Sequence, residues 1–220
     1  MAKNAVGNAQ KFAPLLKKIM REHAAEPPEA HDAVTQLIIG FLSWNASRRQ
    51  AQSALNRISQ TVVEHNDLRV SLEHEIVEML GEAYPLAQER AVRLREALHA
   101  VFADQHTLSL DALADRNKKE VRAYLDDLPG TTQYVAAHVT LICFEGHAVP
   151  VDDRLAEALR HEGVVDADAD VEHIGSFLER QIRAGSTLEA CSALQAWVDA
   201  GTRRATLVKE KGVKKTAARK

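Results

Sequence analysis

The sequence of 220 residues contains only two cysteines, Cys143 and Cys191, and it has no long apolar run. Two cysteines exclude a disulfide-rich scaffold, and both lie in helical patterns beside apolar neighbours, which favours buried free thiols. No apolar stretch reaches the roughly 18 residues that a membrane span needs, and the N-terminus lacks a signal-peptide pattern. We therefore expect a cytoplasmic protein.

Strand signals are also scarce. No segment alternates apolar and polar residues with a period of two, and β-branched residues do not cluster over the length of a strand. Apolar residues recur instead at helical spacing, and hydrophobic residues make up 45% of the chain, which is ample for a core. The pattern predicts an all-α fold of about ten helices. Examples of the spacing are Phe12, Leu15, Leu16 and Ile19; Leu55, Ile58 and Val62; and Ile174, Phe177, Leu178 and Ile182.

Charge is unevenly distributed along the chain. The whole chain has a formal net charge of −3, and residues 202–220 carry eight Lys or Arg against the single acid Glu210, a net +7. Residues 1–201 therefore carry the difference, −10. We expect the basic tail to be disordered and either to attract a polyanion or to serve solubility alone. The acidic body disfavours nucleic-acid binding, because phosphate contacts dominate that affinity.

The most informative segment is Leu128–Tyr134, which reads Leu-Pro-Gly-Thr-Thr-Gln-Tyr. Leu-Pro-Gly closes one helical pattern (120–127) and Thr131 opens another (133–145), which predicts two helices joined by a short hairpin. The second helix begins with free backbone amides, which suit a phosphate. Asp152 follows Tyr134 by 18 residues, just past Pro150, where its carboxylate can face the same cleft.

These residues resemble the helix-hairpin-helix (Gly-Pro-Asp) superfamily of base-excision repair glycosylases, of which endonuclease III is the best known. Leu128-Pro129-Gly130, Tyr134, Ala136 and Val151-Asp152 fall on the family's hairpin and its Val-Asp pair without a gap. Two looser matches extend the resemblance to roughly residues 10–202. They are the apolar helix that ends in Leu42-Ser43-Trp44-Asn45-Ala46-Ser47, and the turn 81–84 with a long helix after it (87–102).

The resemblance implies an endonuclease III-like architecture of two helical lobes. One lobe of six helices, residues 32–145, would contain the hairpin, and the second would combine residues 1–31 with residues 146–201. Residues 202–220 would form the basic tail. Tyr134 and Asp152 would then face each other across the cleft between the lobes. Double-stranded DNA is the partner that the resemblance implies, for a monomer that is nucleoid-associated if the source is bacterial.

By the same resemblance, Asp152 and Tyr134 are the catalytic residues. Positive charge develops on the sugar as a glycosylase breaks the C1′–N bond of a flipped nucleotide, and a carboxylate at Asp152 stabilises that charge or aligns a water. Asp153 is the next candidate if the register shifts by one. Spacing alone favours a helix N-cap over a catalytic role for Asp152, because that position favours Asp whatever the function, and the resemblance reverses this order.

Tyr134 occupies the position at which bifunctional members carry the Lys that forms a Schiff base. A phenol, with a pKa near about 10, forms no imine. The mismatch-specific thymine/uracil glycosylases of the superfamily also have Tyr at this position. We therefore expect a monofunctional DNA glycosylase without AP-lyase activity, acting on uracil- or thymine-type lesions or mismatches. The alternative role of Tyr134 is packing in a degenerate cleft.

DNA contacts are expected from the hairpin and from the end of the apolar helix. The expected residues are Leu128, Pro129, Gly130, Thr131, Thr132, Gln133, Asn45 and Trp44. Three of these positions depart from the family: Thr132 replaces the second hairpin Gly, Gln133 replaces a basic residue, and Asn45 replaces the Gln that fills the gap left by the flipped base. Each departure is expected to weaken the contacts with DNA. A catalytically degenerate DNA-binding relative of endonuclease III is therefore the alternative, and a helical protein-interaction module is a third possibility.

Many relatives of endonuclease III bind a [4Fe–4S] cluster through four cysteines that follow the last helix. The present chain has no cysteine after Cys191, so we expect no iron–sulfur cluster. Its ten histidines show no metal-ligand spacing, and His138 near the hairpin is expected to be packed or to face solvent. No P-loop, GxGxxG or GxSxG motif is present.

Overall fold

The computed structural model describes residues 7–24 and 28–201, so the predicted basic tail at 202–220 lies outside the described residues. The prediction of an all-α fold is confirmed: the described residues contain no β-strand, only an isolated antiparallel bridge between Gly7 and Val165. None of the helices in these ranges is long and apolar enough to cross a bilayer.

Within the described ranges the chain forms eleven α-helices and two short 3-10 turns. The helices are α1 (Ala9–Glu22), α2 (Ala33–Ser43), α3 (Arg48–Thr61), α4 (His65–Val70), α5 (Glu73–Leu80), α6 (Ala87–Gln105), α7 (Lys118–Asp127), α8 (Gln133–Cys143), α9 (Asp153–His161), α10 (Val171–Gln181) and α11 (187–201), and the turns are Asp111–Asp115 and Ala184–Ser186. Residues 32–145 hold seven helices rather than six, because the six-residue α4 separates α3 from α5.

Buried hydrophobic side chains form two clusters. The first cluster belongs to α2–α8 and includes Leu37, Phe41, Leu94, Leu98 and Val139. The second cluster belongs to α1 and α9–α11 and includes Phe12, Leu159, Ile174, Leu178 and Leu194. Each helix turns an apolar stripe toward its own cluster, as expected for amphipathic helices. The connection from α8 to α9 carries the chain from the first cluster to the second.

Two helix starts matter for the site, and side chains define both. Thr132 is the N-cap of α8, where its Oγ1 accepts from the Val135 N–H (3.3 Å). Asp152 is the N-cap of α9, where its Oδ1 accepts from the Leu155 N–H (2.9 Å). Such caps satisfy amides that have no partner inside the helix and stabilise by about 1 kcal/mol each.

The connection between α7 and α8, where the sequence predicts a hairpin, packs its glycine against α6. Gly130 has a φ of +78°. A Cβ at this position would lie 2.4 Å from the Arg93 carbonyl oxygen and 3.0 Å from the Glu96 Cβ. Backbone conformation and lack of space therefore both require glycine here. After this connection α8 runs to Cys143, two residues short of the predicted end.

Candidate active site

A cleft of about 520 Å³ lies where the two clusters meet. The helices α2, α3 and α8 supply one wall, and the residues before α9 together with α9 and α11 supply the other. Its volume falls within the roughly 300–1,000 Å³ of small-molecule sites. The walls are mainly apolar, and the polar side chains that contribute to them include Gln36, Arg48, Tyr134, His138, Ser192 and Gln195.

Tyr134, the second residue of α8, lines this cleft. Its side chain is almost entirely buried, and its ring stacks on His138 one turn later, with ring centres 6.2 Å apart and planes 15° apart. Burial, with a smaller contribution from the charge of Asp152, raises the pKa of Tyr134 well above its usual value. The phenol is therefore neutral under physiological conditions.

Asp152 is buried at the start of α9, with 2% of its surface exposed. Its Oδ1 caps the helix, and its Oδ2 accepts from the Asn45 N–H at 3.1 Å. Burial raises the pKa of the Asp152 carboxyl, whereas the two N–H donors and Arg154 act in the opposite direction. The N-cap role is thus confirmed. It does not exclude a catalytic role, because each carboxylate oxygen keeps a further lone pair.

Asp152 itself is not among the residues that line the cleft, although Pro150 and Leu155 on either side of it are. Asp153, the second carboxylate candidate, is exposed and bound to Asn45.

Asn45 forms hydrogen bonds to both of these aspartates. Its backbone adopts a left-handed conformation with a φ of +53°. Its Nδ2 donates to Asp153 Oδ2 (2.8 Å), and the Asp153 N–H donates back to Asn45 Oδ1 (3.0 Å). The side chain expected to contact DNA therefore joins the end of α2 to the start of α9 in this structure. The neighbouring Trp44 is half-buried, with the Arg93 guanidinium 5.7 Å from its ring centre.

Side chains that the sequence analysis did not single out bind the carbonyls of residues 42–46, which comprise the last two residues of α2 and the start of the loop after it and are called the loop 42–46 below. The Tyr84 hydroxyl donates to Leu42 (2.7 Å), and Arg90 Nη2 donates to Trp44 (2.6 Å). Arg154 Nη1 donates to Ala46. Arg154 belongs to the second cluster's side of the cleft, so the loop is held from both sides.

The Arg154 guanidinium also pairs with Asp199 of α11 at 2.5 Å. The same Asp199 carboxylate accepts from the Arg48 N–H at the start of α3 (3.0 Å). An ion pair of this kind, with both side chains mostly buried, ties the end of α11 to the mouth of the cleft.

A second buried polar pair, Gln36 and His138, lies on the α2–α8 wall. Gln36 Nε2 donates to the Glu29 carbonyl (2.9 Å), which turns Gln36 Oε1 toward His138 Nε2 at 3.2 Å. An amide oxygen only accepts, so His138 Nε2 carries the ring proton. Burial lowers the pKa of His138 to about 4, and the ring is neutral. His138 is packed, which was one of its two expected states.

The hairpin residues expected to contact DNA lie beside the start of α8. Thr132 caps the helix, and the first intrahelical bond runs from the Ala136 N–H to the Thr132 carbonyl (3.0 Å). The Thr131 hydroxyl is buried without a partner among the described residues. The N–H groups of Gln133 and Tyr134 therefore precede the hydrogen-bonded part of α8.

The two cysteines do not fit an iron–sulfur cluster. Cys143 in α8 and Cys191 in α11 are free thiols, and burial raises the pKa of each to about 12. A [4Fe–4S] cluster needs four thiolate ligands, and two thiols on separate helices do not supply them. Within residues 7–24 and 28–201, no group of three or more His, Cys, Asp or Glu side chains is arranged to hold a metal ion.

Comparison by sequence gives no relative: no protein-family model and no curated protein matches the chain. Comparison by structure does. Endonuclease III in a trapped covalent intermediate with DNA is 16% identical, with a TM-score of 0.65 over 86% of this chain and 84% of that chain. A thermostable thymine-DNA glycosylase is 18% identical, with a TM-score of 0.60 over 86% and 85%.

The 8-oxoguanine glycosylase/lyase of Clostridium acetobutylicum, in complex with double-stranded DNA, is 19% identical, with a TM-score of 0.66 over 88% of this chain and 69% of that chain. Likenesses at this level of identity establish architecture. The chain therefore has the all-α, endonuclease III-like fold.

Proposed function

We propose that this protein is a base-excision repair DNA glycosylase that releases a base without cutting the strand. The observation that carries the proposal is a neutral phenol, Tyr134, in the wall of the cleft, with the buried carboxyl of Asp152 behind that wall and close enough for its charge to raise the pKa of the phenol. We take these clusters to be the cores of the two expected lobes. The fold that the chain shares with endonuclease III and thymine-DNA glycosylase supports the proposal.

Asp152 would act on the charge that develops at the sugar. As the C1′–N bond breaks, the deoxyribose becomes cation-like, and a fixed carboxylate nearby lowers the energy of that state. The N–H groups of Leu155 and Asn45 hold the carboxylate in one orientation. Its burial strengthens the interaction, because a charge acts more strongly in a medium of low dielectric constant.

Tyr134 would help to hold the flipped base and would not form a covalent bond to the sugar. A phenol forms no imine, so the Schiff-base route to strand cleavage is closed. The stacked rings of Tyr134 and His138 and the apolar residues around them provide a surface for a planar base. The amide of Gln36, fixed by Glu29 and His138, adds a polar group of defined orientation.

We further propose that the substrate base is of the uracil or thymine type, by the resemblance of Tyr134 to mismatch-specific members of the superfamily. Double-stranded DNA would be the partner of a monomeric, cytoplasmic protein that uses no metal cofactor. With a net charge of −10 on residues 1–201, phosphate contacts would be confined to the start of α8 and the basic segment 202–220.

The test is a panel of duplexes that each contain one altered pair: uracil or thymine opposite guanine, 8-oxoguanine opposite cytosine, and hypoxanthine opposite thymine. Each is incubated with the full chain and analysed with and without hot alkali. We expect strand breaks at the uracil or thymine mismatch only after alkali, and no adduct after borohydride. Breaks without alkali would show a lyase. Duplex binding with no base release from any substrate would establish the degenerate DNA-binding alternative.

A further inference from the structure

Arg90, in the first turn of α6, is fully buried, although its hydrogen bonds go to main-chain carbonyls. Its Nη2 donates to the Trp44 carbonyl (2.6 Å) and to the Pro85 carbonyl (2.9 Å). Its Nε and Nη1 are buried with no partner among the described residues. Burial lowers the pKa of Arg90, since the charged form has lost its water. The guanidinium lies over the rings of Tyr84 (5.0 Å) and Trp44 (5.7 Å to the ring centre) but forms no ion pair among the described residues. A buried cation without a carboxylate partner destabilises a fold, so its presence calls for a reason.

The reason lies in the peptide that Arg90 holds. The Trp44 carbonyl and the Asn45 N–H belong to one planar unit and point in opposite directions. Arg90 donates to the carbonyl end at 2.6 Å, and the N–H end donates to Asp152 Oδ2 at 3.1 Å. A cation at the carbonyl both fixes the plane and polarises the peptide, which makes its N–H a stronger donor.

We propose that Arg90 is a positioning residue for Asp152, acting through the peptide between Trp44 and Asn45. The role in base release rests on the proposed function, whereas the coupling between the two side chains does not. Arg90 never touches the substrate in this account. It holds the donor that orients the carboxylate.

Other charged and titratable groups also face Asp152 and affect the pKa of its carboxyl. Asp153 and Arg154 lie beside it on α9, and Tyr134 faces it from α8. Arg154 binds the carbonyl of Ala46, two residues after Trp44, so a change at Arg154 would alter both the charge near Asp152 and the position of the loop. Tyr84→Phe provides the cleaner control, because it keeps the ring that lies against the Arg90 guanidinium (5.0 Å) and removes only the hydroxyl. That buried hydroxyl binds the same loop at Leu42, two residues before the peptide in question.

The experiment compares Arg90→Met with the control Tyr84→Phe and the rescue Arg90→Lys, all in the full chain. The pKa of the Asp152 carboxyl is followed by ¹³C NMR, with its resonance assigned by its absence in Asp152→Asn. We expect Arg90→Met to raise that pKa by about one unit and to slow single-turnover base release about tenfold, with duplex affinity unchanged. Arg90→Lys should recover most of both effects, and Tyr84→Phe should produce neither.

A second measurement needs no variant of Arg90. In the wild-type chain, the side-chain ¹⁵N resonances of Arg90 should shift with the titration of Asp152, and in Asp152→Asn that shift should vanish. The proposal would be overturned if the Asp152 pKa were unchanged in Arg90→Met, or if Tyr84→Phe changed it by the same amount. It would also be overturned if the Arg90 resonances did not shift as Asp152 titrates. If the wild type releases no base while the coupling is present, the proposed function fails and the coupling stands.

Discussion

Two short connections border the site, and they use their backbone groups in opposite ways. In the loop 42–46, at the junction of α2 and α3, the carbonyls of Leu42, Trp44 and Ala46 accept from side chains, and the Asn45 N–H binds Asp152. In the connection 128–132, between α7 and α8, Gly130 is pressed against α6, and the first amides of α8 come before any intrahelical bond. The loop thus binds the carboxylate inside the protein, whereas the hairpin leaves the first amides of α8 without an intrahelical acceptor, and we propose that these amides bind a phosphate.

The largest effect on stability is expected where the hairpin meets α6. Gly130→Ala should destabilise the protein by about 2–4 kcal/mol for two reasons. Alanine is strained in the left-handed conformation of this residue, and its Cβ would have to displace the backbone of α6. Urea unfolding measures the change, and Gly185→Ala, where a Cβ meets nothing within 4 Å, is the matched control. Equal stability of the two variants would show that α6 does not fix the hairpin.

A smaller effect on stability is expected at the α2–α8 wall, where the protonation of His138 makes stability depend on pH. The pKa of His138 is about 4 in the folded chain against the ordinary 6.5, so protonation favours unfolding. Stability is complete above pH 6.5 and declines as the pH falls toward 4, by about 2 kcal/mol at pH 5. His138→Gln should remove that decline between pH 7 and pH 5, and the exposed His74→Gln should retain it. A decline of the same size in both variants would mean that His138 is not the group responsible.

The smallest effect is expected on duplex affinity, and it tests whether the start of α8 binds a phosphate. Gln133→Lys places a charge at the first residue of α8 and should tighten duplex binding severalfold, while the slope of log K against log salt steepens by about one. Gln10→Lys, on the exposed face of α1, adds the same charge away from the site. Indistinguishable salt slopes for these two variants would mean that the start of α8 does not meet a phosphate.

The helices were predictable because their signals are local. Apolar spacing marks α2, α8 and α10, and Pro129-Gly130 marks the connection before α8. Asp152 was identified both as a cap and as a catalytic candidate. The cap is confirmed, because its partner is only three residues away, and the catalytic role stays a prediction.

The partners of the loop could not be read from the sequence. Arg90 binds a carbonyl 46 residues away, and Arg154 binds one 108 residues away. Every residue carries a carbonyl, so no sequence pattern marks which one a buried arginine will find. The pairing of Gln36 with His138 was missed for the same reason, since the two residues are 102 apart in the sequence. A Gln inside the apolar α2 helix was nevertheless a signal that could have been read.

The central claim is that the Asp152 carboxylate drives base release, and single-turnover kinetics of Asp152→Asn on the preferred mismatch tests it most directly. Asn can still cap α9 through Oδ1, but its NH2 group cannot accept from the Asn45 N–H, so the fold and the duplex affinity should persist with a modest loss of stability. We expect base release at least about 100-fold slower, because the charge that stabilises the transition state is lost. A rate within a few fold of the wild type, with thermal unfolding unchanged, would contradict the account.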